Sequence, residues 1–362
     1  MIIGSRRHRF LSKWPRLLTT LAGALVALTA FELALRPFTG TFRHPGFDEV
    51  RQYAEGTSAA RYARPADPQP LTWRITGNEW VDGAPTIVII GDSYMAARHV
   101  PDQATMGSLI ERWSRTEGLP LNIRQYGIPS GAAPTFAGFA DRLLARWSPK
   151  HVVVVITSND LGSDPLLKSV YWRMRIGADG SAELVEVPRQ PSSRPTPLFW
   201  TPFVSLWQRS SLAEVLWVRW SHLISALGLG TRPKDTPKPS DSQGASIPQA
   251  SVTLLKRAYG SRLLIVFLAE IGMDSDREPS AEELALERAC RAAGIPYASS
   301  RPVFIAMRDR SVYSRGFHNT LPGAGHLNEA GQRGFAEVVW QLLKQVRDGT
   351  GLAATTLPIR GR

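Results

Sequence analysis

Three short runs of almost unbroken branched aliphatic residues constrain this chain most: "TIVII" (Thr86 to Ile90), "HVVVVI" (His151 to Ile156) and "RLLIVFLA" (Arg262 to Ala269). None alternates polar with apolar, so each suits a strand buried on both faces, the kind found in parallel sheets covered by helices. "LNIRQY" (Leu121 to Tyr126) and "IPYAS" (Ile295 to Ser299) add two further strands. Between them the pattern turns helical. Met106, Leu109, Ile110 and Trp113 share one side of Thr105 to Thr116, and helices are predicted near Phe136 to Trp147, Ser251 to Tyr259, Ser280 to Ala293 and Asn328 to Val346. Strands alternating with helices predict an α/β fold with a parallel sheet between two helical layers.

The 362 residues suffice for one large domain or two modest ones, and a 43% hydrophobic content excludes a disordered or collagen-like chain. A single cysteine, Cys290, excludes an intrachain disulfide framework and falls on the apolar stripe of a predicted helix, so it reads as a buried small hydrophobe. The net charge of +12 invites a nucleic-acid reading. Five of those charges, Arg6, Arg7, Arg9, Lys13 and Arg16, precede the apolar run from Leu17 to Leu35, which leaves a diffuse +7 elsewhere, and no nucleic-acid partner is expected.

That run is long enough to cross a hydrocarbon core of about 30 Å as a helix. The clustered cations before it place the N-terminus in the cytoplasm and the rest of the chain outside. A cleaved signal peptide is the alternative, although Leu28 before Ala30 spoils a clean A-x-A site, and a buried core helix is a third reading. The expected organisation is a cytoplasmic tail (1–16), a transmembrane helix (17–35), a stalk (36–84), the first part of the α/β domain (85–163), an insertion (164–250), the second part (251–347) and a tail (348–362). The insertion holds a Trp-rich stretch from Phe203 to Leu227, read as a helix packing on the domain or lying at a membrane or glycan surface, followed by a Pro/Ser/Lys linker.

Chemistry concentrates after the strands. Ser93 stands in "VIIGDSY", where strand, glycine turn and following helix place a hydroxyl at the carboxyl end of the sheet. "YGIPSGAAP" follows the second strand, with Gly127 and Gly131. "TSND" follows the third, with Asn159 and Asp160, and "GAGHLNEAG", with His326, precedes the last helix. In these four blocks, and in their order, the chain resembles the SGNH hydrolases, the GDSL esterase and lipase superfamily, from about Pro85 to Val346. "ACRAAGIPY" and "GHLNEAG" look like stretches of its membrane-anchored bacterial members.

The resemblance implies a three-layer α/β/α flavodoxin-like sheet. It assigns Ser93 as nucleophile and His326 as the base, with the Ser93 backbone N–H, the Gly131 N–H and the Asn159 side chain as oxyanion donors. Asp92 is read as holding the turn. A serine hydroxyl needs such a base, and a tetrahedral intermediate needs fixed donors. Among the other histidines only His318 also lies on a late loop able to reach this edge.

The chain departs from the family pattern in two places. Gln125 stands where the second block usually begins with Asn, and "GIPSG" is one residue longer, so Gly127 or Ser130 could replace Gly131. The Asp expected two or three residues before the histidine is missing, those positions being Ala324 and Gly323. Three readings stay open: a Ser-His dyad oriented by a backbone carbonyl or Asn319; an acid from elsewhere, with Asp160, Asp274, Asp309 and Glu329 as candidates; or a degenerate member that binds without turnover.

No CxxC, HExxH or spaced His/Asp set suggests a metal, and no phosphate-binding glycine loop suggests a nucleotide, so no cofactor is expected. The expectation is an inner-membrane, single-pass, periplasm-facing serine esterase or O-acyltransferase acting on acylated envelope glycans. The alternative is a binding or scaffold protein of envelope-polysaccharide assembly that keeps the fold without the chemistry.

Overall fold

The computed structural model describes residues 14–39, 62–63, 71, 73–98, 100–161, 172–177, 181–186, 246–272, 277–316 and 325–349. The chain divides into two compact units, Met1–Asp48 with Ser192–Arg232, and Glu49–Pro191 with Pro233–Arg362. In the first unit the described residues form helix α1 (Trp14–Thr39), which contains the apolar run. Leu25, Val26, Leu28, Phe31 and Leu33 on it are 53–69% exposed. The side chains of Leu17, Leu18, Leu21 and Leu35 lie outside the described residues, and among the described residues no helix is long and apolar enough to cross a membrane.

The second unit is an α/β domain. In chain order its strands are β1 (Tyr62–Ala63), β2 (Trp73–Arg74), β3 (Thr86–Gly91), β4 (Asn122–Gly127), β5 (His151–Ile156), β6 (Trp172–Ile176), β7 (Ala182–Glu186), β8 (Leu263–Phe267) and β9 (Tyr297–Ser299). Seven form one sheet in the order β1-β2-β4-β3-β5-β8-β9, parallel from β4 to β9. β1 and β2 join antiparallel at the β4 edge. The sheet is therefore mixed, and the expected stalk (36–84) supplies two of its strands. Strands of two residues are too short to show the alternation by which a sequence reveals them.

The helices are α2 (Ser93–Ala96), α3 (Met106–Thr116), α4 (Ala133–Gly138), α5 (Ala140–Trp147), α6 (Ser246–Tyr259), α7 (Ala281–Ala293), α8 (Arg301–Asp309) and α9 (Glu329–Asp348). α4, α5, α6 and α7 pack as one group, and α3, α8 and α9 as another. Right-handed crossovers put the two groups on opposite faces. Ile87, Val88, Ile89 and Ile90 of β3 are at most 1% exposed, as expected for a strand covered on both sides. The single helix expected near Phe136 to Trp147 is split at Phe139, and α8, with Phe304 and Met307 as its buried anchors, was not anticipated. Within the expected insertion, β6 and β7 form a separate antiparallel hairpin whose Trp172 meets Phe139 edge-on at 4.7 Å. The Trp-rich stretch from Phe203 to Leu227 lies outside the described residues.

The β2 edge is fastened by charge and aromatic stacking. Buried Arg74 pairs with Asp102 at 2.9 Å. Arg124 of β4 lies over the rings of both Trp80 and Trp147, at 4.1 and 4.4 Å, and Arg146 stacks over Trp73 at 4.8 Å.

The chain leaves β3 first to β4 on one side and then to β5 on the other, which opens a crevice at the carboxyl ends of these strands. The α2 turn fills part of it and lies against β4. A β-carbon on Gly127 would fall 1.9 Å from the Ala96 nitrogen, so only glycine permits the approach. Beneath it the fully buried Gln125 donates from Nε2 to the Met95 carbonyl (2.6 Å) and accepts the Gly107 N–H at Oε1 (2.9 Å). Gln332 of α9 accepts the neighbouring Met106 N–H at 3.0 Å, so side chains from two elements satisfy the first turn of α3.

Gly127→Ala is expected to cost about 1–3 kcal/mol of unfolding free energy in urea melts, through overpacking. Gln125→Met, which leaves the Gly107 N–H and the Met95 carbonyl without that partner, is expected to cost about 1–3 kcal/mol per orphaned group in the same measurement.

Candidate active site

β3 ends at Gly91, and Asp92, in extended conformation, caps the following turn by accepting the Tyr94 N–H at 2.9 Å. Ser93 opens α2, which stops after one turn at Ala97, in the left-handed region at φ 48°. The Ser93 side chain is thus lifted to the carboxyl edge while Tyr94, Met95 and Ala96 stay buried.

His326 arrives from the other end of the sequence. Its backbone is clamped on a short bridge: Arg315 pairs antiparallel with Leu327, the Gly316 N–H donates to the His326 carbonyl at 3.1 Å, and the Asn328 N–H donates to Ser314 at 3.1 Å. Asn328 then caps α9 by accepting the Gly331 N–H (2.9 Å) and donates from Nδ2 to the Tyr313 (2.9 Å) and Gly316 (3.0 Å) carbonyls. His326 Nε2 lies 3.0 Å from Ser93 Oγ. In the tautomer protonated on Nδ1, Nε2 accepts the Ser93 hydroxyl proton.

The other residues singled out in the sequence are placed less simply. The Gly131 N–H donates to the Ile128 carbonyl at 2.8 Å and closes a turn in which Ser130 has φ 58°. The donor expected there for an oxyanion is therefore spent within its own loop. Asn159 is exposed on the turn after β5, held by a reciprocal cap in which Asp160 accepts the Thr157 N–H (2.8 Å) and hydroxyl (3.1 Å). The Asn159 amide donates to Glu270 Oε1 at 3.5 Å.

Of the substitute acids, Asp160 is committed to Thr157 and Asp309 to Arg277 at 2.8 Å, while Glu329 is exposed at the start of α9. Asp274, His318 and Asn319 lie outside the described residues. Instead Glu270 and Arg315 stand beside the site. Arg315 pairs with Glu270 at 3.1 Å, donates to the Gly325 carbonyl at 2.7 Å and to the Tyr94 hydroxyl, and its guanidinium lies 5.3 Å from the centre of the Tyr94 ring. Glu270 follows the end of β8 by three residues, so the rule that ligands gather at strand carboxyl ends could have found it. Arg315 sits in no motif and carries no such signal.

Acidic groups are crowded around the Ser93 turn. Burial pushes the Asp92 carboxyl up to about 7; the charge of Glu270 adds to the rise, while the Tyr94 N–H and Arg315 oppose it. Burial, and then the charge of Asp92, raises Asp160 well above the usual carboxylate range. Cys290 is fully buried in α7, and burial pushes its thiol up to about 12, in keeping with an inert core position.

The Asp92 shift makes stability depend on pH in a defined direction. The native state holds a proton that the unfolded chain releases at the ordinary value of 3.8, so this contribution is complete below that pH and is lost as pH rises through about 7. Asp92→Asn keeps an oxygen to cap Tyr94 but cannot ionise. Its melting temperature relative to wild type is expected to climb between about pH 4 and pH 7 and to level off above; a constant difference across that range counts against the buried proton.

No family model matches the chain, and no curated protein matches it in sequence. Solved structures similar to it include the psychrotrophic esterase EstA from Pseudoalteromonas sp., at 12% identity over 73% of this chain and 98% of that one with a TM-score of 0.38. A lipase/acylhydrolase from Enterococcus faecalis aligns at 12% identity over 72% and 96%, with a TM-score of 0.38. An acetyl xylan esterase, AlAXEase, aligns at 14% over 71% and 98%, with a TM-score of 0.37.

Proposed function

We propose that this chain is an SGNH-type serine esterase or O-acyltransferase. In this reading it is held in the cytoplasmic membrane by α1, with the α/β domain on the extracytoplasmic side, and acts on acyl esters of envelope glycans. The observation that carries the chemistry is the 3.0 Å approach of His326 Nε2 to Ser93 Oγ, between residues at opposite ends of the domain's sequence. A hydroxyl and an imidazole held at that distance at a strand's carboxyl edge are the minimum for nucleophilic acyl transfer.

Ser93 Oγ attacks the ester carbonyl as His326 takes its proton, and the tetrahedral oxyanion is met by the Ser93 backbone N–H and the Asn159 amide. Collapse expels the leaving alcohol, which receives the proton back from His326 and leaves Ser93 acylated. Water then releases the acid, or a sugar hydroxyl takes the acyl group, with His326 again the base. The membrane assignment rests on the basic flank before Leu17 and on the apolar side chains exposed along α1.

A fluorophosphonate probe is expected to label the full-length protein, and Ser93→Ala to abolish both labelling and ester turnover. His326→Ala is expected to lower turnover by about three orders of magnitude or more with the fold intact. Well-folded wild type that neither labels nor turns over esters overturns the enzyme reading in favour of a binding protein. The topology has its own check: the full chain should fractionate with membranes with its N-terminus retained, and a mature N-terminus beyond residue 30 would show a cleaved signal instead.

A further inference from the structure

The histidine block lacks the carboxylate that orients a catalytic imidazole in the resembled family, yet His326 is held on Ser93. The Arg315 side chain touches both the base loop and the nucleophile turn. Its Nε holds the carbonyl of Gly325, the residue before His326, and its own backbone pairs with Leu327, the residue after. One terminal nitrogen reaches the hydroxyl of Tyr94, the residue after Ser93, whose ring lies 5.2 Å from the His326 ring. The other pairs with Glu270, whose second oxygen takes the Asn159 amide. The guanidinium fork thus ties together the loops that carry the nucleophile, the base and the oxyanion donor. The pair is mostly shielded from water, with 13% of the Arg315 side chain and 28% of Glu270 exposed.

We propose that Arg315, braced by Glu270, is a positioning residue that sets His326 against Ser93 and Asn159 against the oxyanion, so that this site orients its base without the missing aspartate. The inference rests on the serine-hydrolase reading above. Charge balance explains why two residues are needed. A lone carboxylate beside Asn159 would oppose the negative charge that develops on the oxyanion, and a lone guanidinium beside His326 would oppose the imidazolium; paired, they hold both loops with little net field. An Arg fork is suited to this, because its donors lie in one plane at fixed angles, whereas a lysine ammonium is a point charge that cannot span three acceptors.

The test uses the full-length chain with p-nitrophenyl acetate and a fluorophosphonate probe. Arg315→Ala is expected to lower kcat and the labelling rate by about 100-fold, the loss that follows a misplacement of about 1 Å, with KM unchanged. Arg315→Lys should fail to restore them, and added guanidinium should restore part of the activity of Arg315→Ala. Glu270→Gln should lower kcat in the same manner, and the double variant should lose no more than Arg315→Ala alone, because the two act as one unit.

Wild-type kcat in a folded Arg315→Ala overturns the inference. So does a loss that guanidinium does not relieve and that tracks a fall in melting temperature, which would mark Arg315 as structural only. Should Arg315→Ala fail to fold, Glu270→Gln carries the test by the same split between kcat and KM. Absence of labelling in wild type is a different failure: it overturns the serine-hydrolase reading, and this inference with it.

Discussion

The Ser93 turn lies so close to β4 that a β-carbon on Gly127 would come within 1.9 Å of the Ala96 backbone nitrogen, and the geometry of the carboxyl edge follows from that approach. Because α2 can settle against β4, Ser93 emerges where the sheet order reverses, in the crevice between β4, β3 and β5. Gln125 makes the arrangement cohesive by joining β4 to the α2 carbonyl at Met95 and to the first turn of α3 at Gly107. One buried amide thus serves both partners from within the core. The α3 terminus is then shared with Gln332 of α9, the helix that His326 precedes, so the two ends of the site are joined through the core as well as across the crevice.

Around this frame the electrostatics are arranged in layers. Buried Asp92 and Asp160 sit beside the Ser93 turn, where like charge and desolvation disfavour ionising both, and each serves as a backbone cap. Above them the half-buried Glu270 stays paired with Arg315. Ionisation is thereby disfavoured at Asp92 and Asp160, and the charge of Glu270 is compensated by Arg315. The Gly131 N–H is turned to the Ile128 carbonyl within its own loop.

Much of the frame was legible in the sequence because its signals are local. Aliphatic runs marked β3, β5 and β8. Thr105, Ser280 and Asn328 marked helix starts that the structure caps with those same side chains. Ser93 was legible from a glycine turn after a buried strand, and His326 from its place before the last helix. What escaped were elements without a local period: the two-residue strands β1 and β2, and α8. The partner of the Gly131 N–H, the Ile128 carbonyl, was likewise not legible, since a backbone N–H is directed by the turn geometry and no side-chain pattern records it.

By itself the sequence determined the α/β class, the strands that carry the site, and the pair of candidate residues that the fold brings together, Ser93 and His326. Those rest on periodicity and on the side-chain chemistry of single residues, both of which a linear chain displays. Only the tertiary structure decided what holds the two together in the absence of the usual aspartate. Arg315 and Glu270 are 45 residues apart and each lies far from Ser93 in the chain, so their contact exists only after β8 is placed beside β5 and the segment before α9 folds back over the edge. A guanidinium acts through distance and angle, and neither is written in sequence spacing once the partners come from different elements of the fold.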